Sequence, residues 1–378
     1  MNRTDGASVV GGGRASGAGV NLLALRGHNA ALVLDLLRTA DADGISRLEI
    51  AERTGLTPQA VSKITARLRT EGLAAEAGRR ASTGGKPRTL LRLVPEAGHA
   101  VGLHLDRDEL TVVLADLTGR VVAERRAPLD FGAGADAVVD VAVDVVRELV
   151  RPPGGSGDPG RLLGVGIALP GPLDHTDGVL HRVTGFPAWD GFPLREAFAA
   201  RLGLPVVVDK DTNAAALGLA LGGVAESFAY LHLGTGLGAG LVLSGGLYRG
   251  ARTGAGEFGH QVIQLDGPRC GCGDRGCIEA LCLAAVARGD TAEAARALGV
   301  GAANLVSLLD IDRVLLGGRA VFAAAESFVR GVGEVVTERV RRGGGDTEVP
   351  VVVASGGDRG VAEGAAQLVL APVFGRAG

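Results

Sequence analysis

The chain has 378 residues, of which 46% are apolar and 21% charged, a composition typical of globular proteins and a length sufficient for two or three domains. It contains no uncharged apolar run of about 18 residues and no signal-peptide core near its start, so we expect a cytoplasmic protein without a membrane span. The four cysteines all lie between positions 270 and 282, and such clustering favours a metal site over a disulfide framework.

Charge is unevenly distributed along the chain. Residues 1–95 carry 14 basic and 8 acidic side chains, a net charge of +6, whereas the remaining residues sum to −9. A basic N-terminal region on an acidic body predicts a nucleic-acid-binding module joined to a second unit.

The first elements are predicted from capping patterns. Residues 1–26 are rich in Gly, Ala and Ser and predict a flexible tail, and a helical apolar period follows over residues 29–37. Ser46 and Glu49 form a capping box that begins a short helix, and Gly55 is typical of its end. On its apolar side we expect this helix to bury Leu48, Ile50 and Ala51.

A second helix follows after a very short turn. Thr57 is suited to cap it, Pro58 stands at its first position, and Gly72 ends it. The next apolar runs predict two strands around a polar loop. Two helices joined by a tight turn and followed by a strand pair are typical of a winged helix-turn-helix.

In such a unit the second helix enters the DNA major groove, N-terminal residues first. Gln59 and Ser62 are then placed to contact base edges. The remaining candidate DNA-binding residues, suited to phosphates or a minor groove, are Thr57, Lys63, Arg67, Lys86 and Arg88. The alternative is a small helical domain with a solvated basic face.

From about residue 97 the pattern becomes α/β. Three strands, a helix and a strand are predicted over residues 97–169, and the same series recurs from residue 229. This recurrence predicts an internal duplication with two α/β lobes, and ligands of such pairs usually bind in the cleft between the lobes.

The cysteine segment carries the most specific motif. His260, Cys270, Cys272 and Cys277 supply one imidazole and three thiolates, the ligand set of a closed structural Zn²⁺ site. The alternative is a group of reduced thiols beside a surface histidine. Cys282 lies in an apolar helix start and is interpreted as a plain buried thiol.

These residues also carry a family resemblance. The array His-x9-Cys-x-Cys-x4-Cys-x-Glu, the segment VVDKDTNAAALG and the segment LGTGLGAGLVLSGGLYRG resemble the ROK family (repressor, open reading frame, kinase) over about residues 27–370. The resemblance implies an actin-like, sugar-kinase (ribonuclease H-like) ATPase-type fold of two duplicated lobes. It also implies either a hexose kinase or a repressor that binds operator DNA as a dimer or tetramer and responds to a sugar or a protein.

The resemblance further implies roles for individual residues. Asp211 matches the general base of the family's kinases, although an Asp at this point of the chain is equally suited to cap a helix from Asn213. Glu257, His260 and Glu279 match positions that hydrogen-bond sugar hydroxyls. We expect an effector site made of these residues, with His260 shared between ligand and metal.

Other positions depart from the kinase pattern. Where the kinases hold Mg-ATP with an acidic residue and Gly-Gly-Thr, this chain has the run from His104 to Glu109, whose three carboxylates would repel phosphates. Lys210 replaces a sugar-binding Asn before Asp211, and Gly185 replaces another Asn. We therefore expect no kinase activity.

The predicted domains are a tail over 1–26, a winged helix-turn-helix over 27–95, a first lobe over 96–210 with 361–378, and a second lobe over 211–360. The favoured hypothesis is a sequence-specific transcriptional regulator, a repressor, with a kinase-derived sensing body that binds a sugar or sugar derivative. As an oligomer it would bind an inverted repeat in double-stranded DNA. The alternatives are a sugar kinase with an accessory DNA-binding head and a regulator that senses a protein.

Overall fold

The computed structural model describes residues 22–41, 43–80, 88–151, 161–181, 183, 185–344 and 348–376. The helices are α1 (Leu22–Arg38), α2 (Arg47–Thr54), α3 (Pro58–Thr70), α4 (Ala135–Val150), α5 (Leu194–Leu202), α6 (Asp211–Leu221), α7 (Ile278–Ala287), α8 (Thr291–Leu309), α9 (Arg319–Ala323), α10 (Ala325–Arg342) and α11 (Gly360–Leu370). Within the described residues, no helix is long and apolar enough to cross a bilayer.

The strands are β1 (Ile45–Ser46), β2 (Ala74–Arg80), β3 (Arg88–Leu93), β4 (His99–Leu105), β5 (Glu109–Asp116), β6 (Val121–Pro128), β7 (Leu162–Leu169), β8 (Leu173–Asp174), β9 (Val179–Leu180), β10 (Val206–Lys210), β11 (Phe228–Leu233), β12 (Leu237–Leu243), β13 (Gly246–Leu247), β14 (Arg313–Gly317) and β15 (Val351–Val353). Short 3-10 helices also form at Phe258–His260 and at Ala371–Phe374.

The N-terminal unit, here called the head, contains α1–α3 and the small sheet β1–β3–β2. Ser46 and Glu49 form the predicted capping box, Gly55 ends α2 in the left-handed conformation, and Thr57 caps α3 ahead of Pro58. These predictions are confirmed. Leu48 differs from its prediction, since 42% of it is exposed. It lies two positions from the buried Ile50, about 200° around the helix, so the two cannot face the same core.

The start of α1 and the strand pair of the wing differ in how well they match the predictions. Helix α1 begins at Leu22, so its first five residues lie within the predicted tail, and residues 1–21 lie outside the described residues. Strands β2 and β3 pair antiparallel as predicted for a wing. The loop between them, 81–87, which contains the candidate DNA-binding residue Lys86, lies outside the described residues as well.

The body consists of two five-stranded sheets with the same topology. The first has the order β10–β7–β4–β5–β6, and the second has the order β15–β14–β11–β12–β13. In both of these orders, the first three strands are parallel to one another. The fourth strand is antiparallel to the third, and the fifth is antiparallel to the fourth. This repeated order confirms the predicted duplication of two α/β lobes.

The helices that follow the last strand of each lobe meet at the centre of the body. Helix α6 packs against α11 and against β12 of the second lobe, whereas α11 packs against β4 and β7 of the first lobe. Each lobe is therefore covered partly by a helix that leaves the other. The limits of the individual domains remain a prediction.

A shared apolar core joins the head to the body. The buried head residues Val33, Leu37 and Leu91 belong to one cluster with Leu370 and Phe374 from the end of α11 and the 3-10 helix after it. The Arg38 guanidinium lies 5.2 Å from the centre of the Phe374 ring. Burial of such side chains stabilises a fold by about 1.5–3 kcal/mol each. The head is therefore packed against the body and is not attached to it by a linker alone.

Candidate functional site

A cleft between the two lobes brings the predicted effector residues together. Asp211, Glu257, His260 and Glu279 all line it. Helix α6 begins at Asp211 with Lys210 as its N-cap, so Asp211 stands in the first turn and does not cap a helix from Asn213. One oxygen of Asp211 accepts a hydrogen bond from the Thr212 amide at 2.6 Å.

Two of the cleft carboxylates have partners that the sequence did not indicate. The Lys210 side chain is only 3% exposed, and its Nζ lies 3.1 Å from Glu257 Oε1 while also donating to the Ala255 carbonyl. Glu279 Oε2 accepts from the Leu237 amide at 2.8 Å. Lys210 thus balances the charge of Glu257 at a position where the family's kinases carry a neutral amide.

The turn between β4 and β5, which corresponds to the phosphate-binding turn of the kinases, is joined to the opposite lobe. Arg319, the first residue of α9, donates to both Asp108 oxygens at 2.8 and 2.9 Å. The Thr235 hydroxyl donates to Asp106 Oδ1 at 2.7 Å. An ion pair and a hydrogen bond therefore join this turn to the second lobe.

Behind this turn lies a small polar cavity lined by His104, Tyr230 and His232. The Tyr230 hydroxyl lies 2.9 Å from His232 Nδ1. Burial lowers the pKa of His104, so its imidazole is neutral near pH 7, and it raises the pKa of Tyr230. The cations that line this cavity are Arg126 and Arg319, and both are already paired with acidic side chains.

A second contact joins the lobes at the other side of the cleft. His175, in the turn between β8 and β9, places Nδ1 2.7 Å from the hydroxyl of Thr253 in the second lobe. Thr253 is buried and has a positive φ of 56°. The two lobes are therefore joined by polar contacts in two places.

The predicted metal ligands converge on one point next to the cleft. Donor atoms of His260, Cys270, Cys272 and Cys277 all lie within 4.8 Å of one another. Cys270 Sγ is 3.6 Å from His260 Nδ1, and Cys272 Sγ is 3.7 Å from Cys277 Sγ. Burial raises the pKa of the Cys277 thiol to about 12. The group is a compact set of soft donors suited to a metal ion.

The backbone of this loop is folded tightly enough to bring the ligands together. Gly276 has φ = 69°, and a Cβ there would lie 1.6 Å from the Gln264 carbonyl oxygen. Only glycine permits that approach. Cys282, predicted to be a plain buried thiol, is buried in α7 with its sulfur 3.5 Å from the Ala294 carbonyl.

On the head, the candidate DNA-binding residues of α3 lie on one exposed side. Thr57, Gln59, Lys63 and Arg67 line a common groove. Ser62 and, in β3, Arg88 are also exposed. The apolar side of the same helix is turned inward, with Val61 and Leu68 buried.

Comparison with known proteins agrees with this architecture. The ROK family model matches residues 100–288, and the chain belongs to the ROK family. It is 28% identical over 359 residues to the xylose repressor of Caldicellulosiruptor bescii, covering 83% of this chain and 88% of that protein.

Two solved structures are similar as well. A ROK family transcriptional regulator, described as a homolog of the E. coli MLC protein, superimposes with a TM-score of 0.75 at 22% identity, covering 93% of this chain and 97% of that one. The ROK hexokinase of Thermus thermophilus has a TM-score of 0.58 at 29% identity, with coverage of 71% and 96%. The predicted fold class is confirmed.

Proposed function

We propose that this protein is a sequence-specific DNA-binding transcriptional regulator, a repressor, with a kinase-derived body that senses a small polyhydroxy ligand and does not phosphorylate it. The observation that carries the proposal is the exposed polar and basic side of α3 in a capped helix-turn-helix. Gln59 and Ser62 near its start are suited to base edges, and Lys63 and Arg67 to phosphates. The similarity of the chain to a xylose repressor and to a ROK family transcriptional regulator supports it.

We expect no kinase activity because of the side chains in the β4–β5 turn. Three acidic side chains and the Asp108–Arg319 pair stand where Mg-ATP phosphates would have to bind. Transfer of a phosphoryl group depends on cations and amide donors around the phosphates. The likeness to a ROK hexokinase and the presence of Asp211 in the cleft make kinase activity the competing function.

We assign the cysteine cluster to one structural Zn²⁺. In a tetrahedral site with Zn–S near 2.3 Å and Zn–N near 2.0–2.1 Å, the S–S and S–N edges are about 3.8 and about 3.6 Å. The observed separations of 3.7 and 3.6 Å fit these edges. Such an ion would hold the 3-10 helix of His260 against the start of α7, and so position Glu257 and Glu279 in the cleft.

We expect the regulator to act as a homodimer or homotetramer, because two heads related by a two-fold axis recognise an inverted repeat in double-stranded DNA. The cleft residues Asp211, Glu257, His260 and Glu279 would bind the effector. Carboxylates and an imidazole accept and donate hydrogen bonds to vicinal hydroxyls.

The test is selection of genomic fragments by the full chain, followed by binding titrations on a selected and a scrambled duplex at two salt concentrations. We expect a preference of at least about 1,000-fold for the selected duplex, the usual lower bound for specific binders. Equal affinity for both duplexes would contradict a sequence-specific regulator. ATP-dependent phosphorylation of a hexose without specific DNA binding would favour the kinase.

A further inference from the structure

The last turn of the described chain, residues 374–376, packs against the first helix of the head. Arg376 pairs with Asp35 through two contacts of 3.2 and 2.9 Å. A Cβ at Gly375 would lie 3.1 Å from the Cβ of Ala31. Ala31 and Asp35 are four positions apart, so they lie on the same side of α1. This segment, here called the 374–376 turn, therefore contacts one side of α1 along about one helical turn.

The 374–376 turn is also fixed to the body. It follows α11 through the 3-10 helix Ala371–Phe374, and the Arg376 amide donates to the Ala371 carbonyl at 3.0 Å. Helix α11 lies in close contact with the first lobe, because a Cβ at Gly166 of β7 would lie 1.8 Å from the Ala365 carbonyl oxygen. Backbones that approach each other this closely leave little room for the helix to tilt or slide. The 374–376 turn is therefore a rigid extension of the body.

A second connection joins the head to the body at a different point. The chain leaves the head through β3, and the next residue, Val94, donates its amide to the Leu73 carbonyl at 3.0 Å. Pro95 then accepts a hydrogen bond at 3.1 Å from the amide of Leu117, which follows β5 in the first lobe. A single connection would let the head rotate about it, whereas two separate attachments oppose that rotation. The head is thus held both after β3 and at α1.

Within the head, α1 and the proposed recognition helix α3 share one core. Val33 and Leu34 of α1 belong to the same buried cluster as Val61 and Leu68 of α3. Because protein interiors are close-packed, a helix that is fixed on one side of a core restrains its neighbours. The direction of α3 relative to the body therefore depends on the contact between α1 and the 374–376 turn.

From this arrangement we infer that the 374–376 turn determines which spacing of operator half-sites the regulator accepts, although it lies outside the α3 surface proposed to bind DNA. The inference rests on the proposed function, because it concerns two heads that bind an inverted repeat. One base pair inserted between the half-sites moves them apart by about 3.4 Å and rotates them by about 34–36° relative to each other. Heads that are fixed to a two-fold body cannot follow that rotation, whereas heads on a free linker can.

The test uses the full chain and the operator obtained by selection of genomic fragments. The central spacing of this operator is lengthened and shortened by one and by two base pairs, and one half-site alone is placed in a further duplex. We expect each change of spacing to weaken binding at least about tenfold, because one head loses its base contacts. The affinity for the isolated half-site gives the reference for a single head.

Two variants release the contact. Arg376→Gln removes the ion pair with Asp35, and Phe374→Ala combined with Arg376→Gln also removes the aromatic ring from the shared core. We expect the loss for each change of spacing to fall below about threefold in the double variant and to an intermediate value in the single one. Arg296→Gln, which removes an exposed ion pair with Glu293 on α8, is the matched control and should keep the full spacing preference.

The isolated half-site separates this role from a merely structural one. Both variants should bind it like the unmodified chain, because α3 itself is unchanged, whereas disruption of the head would weaken this binding as well. Circular dichroism shows whether the variants are folded, and Arg376→Gln decides the question if the double variant is not.

Three results would overturn the inference while leaving sequence-specific binding intact. They are an unchanged spacing preference in the folded variants, equal affinity of the unmodified chain for every spacing, and selection of single half-sites. Equal affinity of the unmodified chain for the selected and scrambled duplexes would instead refute the proposed function itself.

Discussion

Asp35 of α1 and Arg376, 341 positions later, form an ion pair with two contacts, Nε to Oδ1 at 3.2 Å and Nη2 to Oδ2 at 2.9 Å. Arg38 also donates to Asp35, at 2.8 Å. Burial by itself raises the pKa of Asp35, but the hydrogen bonds from Arg376 and Arg38 outweigh it and hold the pKa below its ordinary value. The pair therefore connects the head to the end of the body through a carboxylate that is favoured in its charged form.

This pair predicts a pH dependence of stability. Because the pKa of Asp35 is lower in the folded state, its stabilising effect is complete above the ordinary value of 3.8 and is lost as the pH falls through the folded-state value. Asp35→Asn should be less stable than the unmodified chain at neutral pH, and the difference should shrink below pH 3.8. Denaturant titrations followed by circular dichroism measure this, with Glu52→Gln on α2 as control. A difference that is constant with pH would contradict the ion pair.

The second prediction concerns the metal. Cys272→Ser should lose the bound zinc, because a serine hydroxyl is a poor substitute for a thiolate. Cys282→Ser is the matched control, since Cys282 is buried in α7 outside the cluster, and it should retain one zinc per chain. Elemental analysis of freshly purified, reduced protein gives the stoichiometry. Absence of metal from the unmodified chain, or equal metal in both variants, would refute the site.

The third prediction concerns DNA recognition. Gln59→Ala should cost about 1–3 kcal/mol on the selected duplex and little on a scrambled one, because a base-edge contact is lost. Arg67→Ala should weaken binding to both duplexes alike and reduce the salt dependence, because a phosphate contact is lost. Titrations at two salt concentrations separate the two effects. Identical behaviour of both variants on both duplexes would show that α3 does not read sequence in this orientation.

The fourth prediction concerns catalysis. A coupled assay with ATP and a panel of hexoses should show no turnover, since Asp108 and Arg319 close the turn where the phosphates would bind. The ROK hexokinase of Thermus thermophilus serves as the positive control in the same assay. Turnover by this chain that disappears in Asp211→Asn would establish it as a kinase.

The fifth prediction concerns the contact between α6 and α11. A Cβ at Gly364 would lie 1.9 Å from the Ala214 carbonyl oxygen, so Gly364→Ala must separate the two helices. We expect a loss of about 1–3 kcal/mol or more in the free energy of unfolding. Gly333→Ala in α10 is the control. A Cβ there would meet its nearest atom at 3.9 Å, so that change should be neutral or stabilising by up to about 1 kcal/mol. Equal effects of both changes would contradict close packing of α6 and α11.

Local chemistry explains which parts of the structure the sequence could predict. Ser46, Glu49 and Thr57 form their capping hydrogen bonds with residues three positions away, so the spacing of residue types was enough to predict these helix caps. The predicted metal ligands of the cysteine loop also lie close together in the chain, and their convergence was expected because they match a known ligand set. The duplication is visible in the sequence because each lobe repeats one order of strands and helices.

The relationships that the sequence did not predict are long-range pairings. Asp108 meets Arg319 across 211 positions, and no periodicity or spacing relates them. Lys210 and Glu257 are 47 positions apart, and their pairing depends on how the lobes meet. The predicted burial of Leu48 is wrong because an apolar side chain on a short helix is buried only where its angle faces the core.

The shared core has a consequence for synthesis on the ribosome. Residues of the head are translated first, but Leu370 and Phe374 complete the cluster that holds Val33, Leu37 and Leu91. A nascent chain that lacks α11 therefore has an open apolar surface on its head and no fixed orientation of α3 relative to the body. The proposed DNA-binding surface on α3 is thus among the first segments to be synthesised and among the last to reach its final packing.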